Sequence, residues 1–159
     1  FSFGLFLEHI RINNLSKQIS PFCVALGQKT EVETLLFNQV SEGAGGSTFD
    51  KEFQERHKKK PVFSQSVISF SVDEFIELFK IATPTHIKID VDGLEPAIIS
   101  GAKKTLTEVQ SIMVEVELGN LDRKVERLDL PLRKLGFQES DQFTGTGSGR
   151  NRLYRKMGS

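Results

Sequence analysis

The stretch that decides the fold runs from His86 to Gly101, HIKIDVDGLEPAIISG. Ile87, Ile89 and Val91 alternate with Lys88, Asp90 and Asp92, Gly93 breaks the run, and Pro96 opens an amphipathic segment. A β-branched run ending in acids and glycine, with proline just beyond, predicts a strand that turns directly into a helix. Strand alternation puts Lys88, Asp90 and Asp92 on one face and the three aliphatics on the other. Open α/β sheets bind their ligands at the carboxyl ends of such strands, so the acids mark the first candidate site.

Working outward, Phe3, Phe6, Leu7, Ile10 and Asn14 fall at helical spacing near the start of the chain, and Asn13, Asn14 and Ser16 end that helix. Pro21 to Leu26 (PFCVAL) predicts a short strand buried on both faces, with Val32 to Phe37 pairing back or forming an edge. In the segment that follows, SEGAGGST has the glycines of a phosphate cradle but neither a P-loop lysine nor a clear helix start, so a flexible loop is the simpler reading. His57 to Lys60 (HKKK) is read as a solvated basic face. Val62 to Phe70 is a further strand, and Ser71 with Glu74 forms a capping box for a helix carrying Val72, Phe75, Ile76 and Phe79.

Beyond the central stretch, the helix is expected to run to about Thr105, and Ser111 to Leu118 (SIMVEVEL) is another strand. It sets Ile112, Val114 and Val116 on one face and Met113, Glu115 and Glu117 on the other. Two acids on one face demand water or partners. Asp122 to Leu135 is helical with a restart at Pro131, and Gly136 stops it. Phe137 to Phe143 and Arg152 to Lys156, joined by a glycine-rich loop, form an antiparallel hairpin. The pattern predicts a single α/β domain over residues 1–159, mostly parallel with a C-terminal antiparallel hairpin. A sheet whose first element is a helix is also expected to lack its opening strands.

Composition narrows the function classes. The 21 basic residues balance 21 acidic ones, which gives no general pull toward nucleic acid or an anionic membrane. No run of about 18 apolar residues is present, so no membrane span is expected, and a cytoplasmic location is. The single cysteine, Cys23, excludes an internal disulfide and is expected to be a small core residue. Nothing in the sequence indicates an oligomeric state.

The wording HIKIDVDGLEPAIISGA resembles the K-I-D-x-E-G-x-E-x-x-x-L-x-G-A signature of the FkbM family of S-adenosylmethionine-dependent methyltransferases. Lys88, Ile89, Asp90, Gly93, Glu95, Gly101 and Ala102 match as they stand, while Asp92 replaces the usual Glu and Ile99 the usual Leu. The order around it is similar too: an Asn13-Asn14-Leu15 helix end, an Ala25-Leu26 strand, the GAGGST loop, a Val114-Glu115 strand and a late Leu135-Gly136-Phe137. The resemblance implies a class I, Rossmann-like sheet, N-terminally truncated here, because the family's opening D-x-G-A-N-x-G strand and loop and its ribose-binding acid have no counterpart. It implies S-adenosylmethionine as cofactor and O-methylation of a hydroxyl on a small molecule or glycan, with this chain inactive by itself.

On that resemblance Asp90, Glu115, Asp92 and Glu95 are the catalytic candidates. Asp90 and Glu115 would position acceptor or cofactor groups, and Asp92 and Glu95 would line the mouth. Ala25 and Leu26, with Asp90, would meet the cofactor, and Ser47 and Glu117 the acceptor. A divalent cation among these oxygens is a further option but is not expected. Two other classes compete. D-x-D-G also occurs in haloacid-dehalogenase-type phosphatases, yet no paired-Asp motif follows it here. A non-catalytic remnant serving as an interaction module is the other.

Overall fold

The structure, a computed structural model, describes residues 2–38, 60–116, 124–140 and 149–157. Helix α1 (Ser2–Ile12) leads to strands β1 (Ala25–Gly27) and β2 (Glu31–Phe37). Strand β3 (Phe63–Ser71) runs straight into helix α2 (Val72–Phe79), and β4 (His86–Ile89) is followed by α3 (Glu95–Ser100). A 3-10 turn at Thr105–Thr107 precedes β5 (Ser111–Glu115). A π-helical turn at Val125–Asp129 continues into α4 (Leu130–Lys134), and the chain closes with β6 (Phe137–Ser140) and β7 (Asn151–Lys156).

The fold is mixed α/β, with strand–helix alternation and a closing hairpin as the sequence predicts, but the strands lie in two sheets. Their orders are β1-β3-β2 and β4-β5-β7-β6. Among the described residues, β1 with β3 and β4 with β5 are parallel, and β2–β3, β5–β7 and β6–β7 are antiparallel. The expectation of one mostly parallel sheet is therefore corrected. Strand β2 doubles back onto β3 through seven residue pairs, from Glu31 opposite Ser69 to Phe37 opposite Phe63, so it hairpins where a crossover would have kept it parallel.

Strands β1 and β4 each have one paired edge, and residues of both line a cavity of about 860 Å³ between the sheets. Its wall is mainly aliphatic and aromatic, with Val24, Leu26, Leu35, Val72, Phe75, Ile87 and Ile98 among the lining residues. The buried core lies mostly in the second sheet and its helices, around Ile99, Leu106, Ile112, Val114, Leu132 and Phe137.

Local chemistry explains the element ends. The capping box forms as predicted on the serine side: Glu74 N–H donates to Ser71 Oγ at 3.2 Å. The glutamate returns to the Ser71 hydroxyl at 3.0 Å, while the Ser71 N–H donates to Thr30 Oγ1 at 3.3 Å. Gly136 takes a φ of 86° after α4, a conformation that favours glycine over any L side chain. The π-helical turn ends just before α4, with Pro131 in its first turn; a wide turn there tolerates a residue that has no N–H to give.

Two expectations about burial are overturned. Helix α1 buries only Ile10, and Phe6 and Leu7 are more than 40% exposed, at 44% and 42%. Cys23 is exposed, as are Phe22 and Val24, because the PFCVAL run enters a strand only at Ala25 and that strand is paired along one edge. The predicted helix to Thr105 is shorter, ending at Ser100 before turns that lead to the 3-10 segment.

The two sheets meet where Gly101 packs against the backbone that follows β1. A Cβ at Gly101 would overlap the Gly27 carbonyl oxygen and approach the Gln28 carbonyl oxygen at 3.0 Å. Asp73, in the first turn of α2, ties the same corner: its N–H donates to the Gly101 carbonyl at 3.1 Å, and its carboxylate accepts from Lys104 N–H (2.9 Å), Thr105 N–H (2.8 Å) and Thr105 Oγ1 (2.7 Å). Gly101→Ala is expected to lower unfolding free energy by about 1–3 kcal/mol, since backbone rather than a flexible side chain must yield. Gly4→Ala, in an open stretch of α1 with nothing within 4 Å of the new methyl, should raise it by about 0.5–1 kcal/mol. Urea denaturation of both variants checks the pair.

Candidate functional site

The candidate site forms where β4 and β5 end. In their parallel register Ile89 lies beside Val114, so the next residues, Asp90 and Glu115, come side by side at the carboxyl edge. Their carboxyl groups hydrogen-bond each other. Lys88 shares the face of Asp90, and its Nζ donates to Asp90 Oδ2 at 2.6 Å. On the far side, Arg150 Nη1 lies 4.0 Å from Glu115 Oε1. Asn151 opposes Glu115 across the β5–β7 ladder, and its buried side-chain oxygen has no hydrogen-bond partner among the described residues.

The two carboxyls are driven apart. The Lys88 ammonium, and then the bond from Glu115, hold the Asp90 carboxyl below its ordinary range. The bond to Asp90, burial and the Asp90 charge push Glu115 up. As pH falls, Glu115 therefore takes up a proton before Asp90 does and can then donate it in a hydrogen bond to the Asp90 carboxylate. Such a pair can take a proton from a hydroxyl at one oxygen while presenting a neutral acid at another.

Gly93, with φ 89°, makes the sharp turn from β4, and Pro96 in the first turn of α3 needs no N–H partner there. The turn swings Glu95 inward. Burial pushes its carboxyl to about 7, helped by the nearby Asp92 and Glu115 and opposed by hydrogen bonds from the Glu95 and Gly93 N–H groups.

Asp90 and Asp92 line the inter-sheet cavity together with Ala25, Leu26 and Lys88, so four of the sequence-predicted site residues share one space. Glu115 adjoins it through its bond to Asp90, and Glu95 stands beside them in the first turn of α3. Ser47 and Glu117, the predicted acceptor contacts, lie outside the described residues, as do the GAGGST loop and His57 to Lys59. Arg150 and Asn151 were missed from sequence. The signal for them was the closing hairpin: a strand antiparallel to β5 must begin where β5 ends.

A volume of about 860 Å³ falls in the ordinary range for small-molecule sites, roughly 300–1,000 Å³. Apolar walls suit a flat ring, and the acids at one end suit hydroxyl or amino groups. Among the described residues, no group of three or more His, Cys, Asp or Glu side chains could hold a metal ion. No described helix is long and apolar enough to cross a membrane.

Comparison with known proteins places this site in a family. The model of the methyltransferase FkbM domain matches residues 5–139, and the chain belongs to that family. A hexuronic acid methyltransferase, AglP of Haloferax volcanii, is 29% identical over 72 residues, 45% of this chain and 30% of that protein. The chain therefore spans well under two thirds of the relative's length. No solved structure matches it.

Glu95 gives the site a pH signature. The folded protein holds the Glu95 proton from 4.5, where the unfolded chain releases it, to about 7, so this group's contribution to stability is full below that window and is lost as pH rises through it. The loss is expected to reach about 3 kcal/mol at most. Glu95→Gln should remove that slope, seen as a smaller difference in urea unfolding free energy between about pH 5 and about pH 8 than in the wild type.

Proposed function

We propose that the chain forms the acceptor-side part of an S-adenosylmethionine-dependent methyltransferase that methylates a hydroxyl oxygen on a small molecule or glycan in the cytoplasm. Family membership gives the methyltransferase class. The observation that carries the finer reading is the hydrogen-bonded Asp90–Glu115 pair beside an apolar cavity that also presents Ala25 and Leu26. Residues 1–159 are taken as one domain of Rossmann-like class, for which the two parallel pairs, β1–β3 and β4–β5, are the support.

The cofactor, when bound, supplies an electrophilic methyl group on sulfonium sulfur. The residues of this chain do the rest. Ala25 and Leu26 offer an apolar wall for its ring. Asp90, ionised beside Lys88, would accept the acceptor's hydroxyl proton as that oxygen takes the methyl group. Glu115 holds the neighbouring proton, while Asp92 and Glu95 border the opening, with Ser47 and Glu117 on the acceptor side. Alignment of oxygen, carbon and sulfur supplies much of the rate, and a positioned base adds about 10²–10⁴-fold. An acidic sugar is the first acceptor to test, since the Haloferax relative is named for one.

The chain carries one wall of a cofactor site, and the methionine and ribose contacts are assigned to polypeptide outside these residues. Calorimetric titration of S-adenosylhomocysteine is expected to show weak or no binding to residues 1–159 and clear binding to a form extended upstream. No binding by either form would favour the second reading, an interaction module, which the exposed Phe6, Leu7 and Ile12 of α1 support. The phosphatase reading gives way to the family assignment. In a methyl-transfer-competent form, Asp90→Asn should lower kcat by about 10²–10⁴-fold with a smaller change in KM, measured with labelled cofactor and a uronic acid acceptor.

A further inference from the structure

We propose that Lys88 is the positioning residue of the site: its contact with Asp90 decides which of the two paired carboxyls holds the proton. The inference rests on the reading of Asp90 as the proton acceptor, but its geometry stands by itself. Two adjacent carboxyls at the ends of parallel strands are chemically near-equivalent, and like charges in contact cannot both ionise freely. Left alone, such a pair would share its proton between the two sites. Lys88 breaks the symmetry, because its Nζ sits 2.6 Å from Asp90 Oδ2. The other cation, Arg150, stands off Glu115 at 4.0 Å.

Among the described residues, the surroundings leave this difference in control. From β4 and its turn the pair meets Lys88, Asp92 and Glu95; from β5 it meets Glu115 itself; from the approach to β7 it meets Arg150 and the neutral Asn151. Across the cavity, β1 and α2 present Ala25, Leu26, Val72, Phe75 and Ile76, none of them charged. Asp92 and Glu95 are acids and so bear on both carboxyls with the same sign. An exposed ion pair adds little to stability, and the Lys88 side chain is 57% exposed. The choice between two touching carboxyls, however, needs only a small bias, since about 1.4 kcal/mol shifts the proton tenfold.

The consequence is directional. With Lys88 in place Asp90 stays ionised to lower pH than Glu115, which takes up a proton first as pH falls. Without it Asp90 competes for the proton, and the fraction of molecules with a free base falls on the acid side.

Carboxyl-carbon NMR titration of the full chain tests this without any turnover. In Lys88→Met the Asp90 midpoint should rise by about 1 pH unit, and Lys88→Arg should restore it. Lys88→Gln serves as a second neutral variant should the methionine disturb packing. An unchanged Asp90 midpoint in a folded neutral variant overturns the proposal, as does an equal shift in Lys88→Arg. In a form that transfers methyl groups, the acid limb of kcat/KM should move up with the NMR midpoint; a fixed limb despite a moved midpoint overturns the positioning role. An NMR shift alongside an upstream-extended form that binds the cofactor but methylates no acceptor supports the proton placement and counts against the methyltransferase reading instead.

Discussion

The structure depends on one close contact, the seating of Gly101 against the carbonyl groups of Gly27 and Gln28. No side chain fits between the end of α3 and the turn after β1, so two sheets with no shared hydrogen-bond ladder are held at backbone distance. Asp73 reinforces the joint from α2 by accepting three hydrogen bonds from Lys104 and Thr105. A carboxylate with three donors is a rigid fixture, because releasing any one of them leaves a part-buried group unpaired. The walls of the cavity, and therefore the distance from Ala25 and Leu26 to the acids, are set by this corner.

The same corner fixes the chemistry. Because Gly101 anchors the end of α3, and Gly93 fixes the turn at its start, the six-residue helix has little freedom to rotate. Its first turn must then carry Glu95 inward, where water is scarce. The contrast with Asp90 is one of environment rather than residue type. One carboxyl is held charged by an ammonium in contact and the other is pushed toward its neutral form by burial, so the two titrate apart within a few residues of each other. A second set of charges lies away from this site: Lys124, 9% exposed, bridges Asp129 and Glu139, and Tyr154 donates to Asp129 at 2.6 Å. That set is paired throughout and fastens the π-helical turn to the closing hairpin.

The sequence carried much of this in its local rules. The strand-to-helix passage at Asp90–Pro96, the Ser71 cap, the Gly136 stop and the terminal hairpin each depend on residues within a few positions of one another, and each is where the pattern put it. Burial was harder to see. The apolar stripe of α1 and the PFCVAL run are hydrophobic in pattern, but a pattern does not state whether a partner surface lies opposite. Here Ile10 is buried, while Phe6, Leu7, Phe22 and Cys23 stay exposed, although Phe22 makes an edge-to-face contact with Phe75. The division into two sheets also escaped, since it follows from β2 pairing back along its whole length rather than from any single motif. At the site, Asp90 and Glu115 were legible as strand-end acids. The approach of Arg150 was not, because it follows from the register of β7 against β5, a distance of many residues along the chain.

Strand β2 has a further bearing on how the protein behaves in solution. It is the outer strand of its sheet, seven residues long, with Val32 73% exposed, and such edges invite a second chain to add on. Its apolar positions are interrupted by Glu31 and Glu33, and Lys29 holds Glu31 at 2.8 Å just before the strand begins. Parallel, in-register growth of the sheet across copies of the molecule would bring these carboxylates opposite one another, and antiparallel growth would set them against the apolar end of the neighbouring strand. The acidic start of β2 is thus a guard on colloidal stability, carried by the same strand whose Leu35 and Phe37 line the cavity.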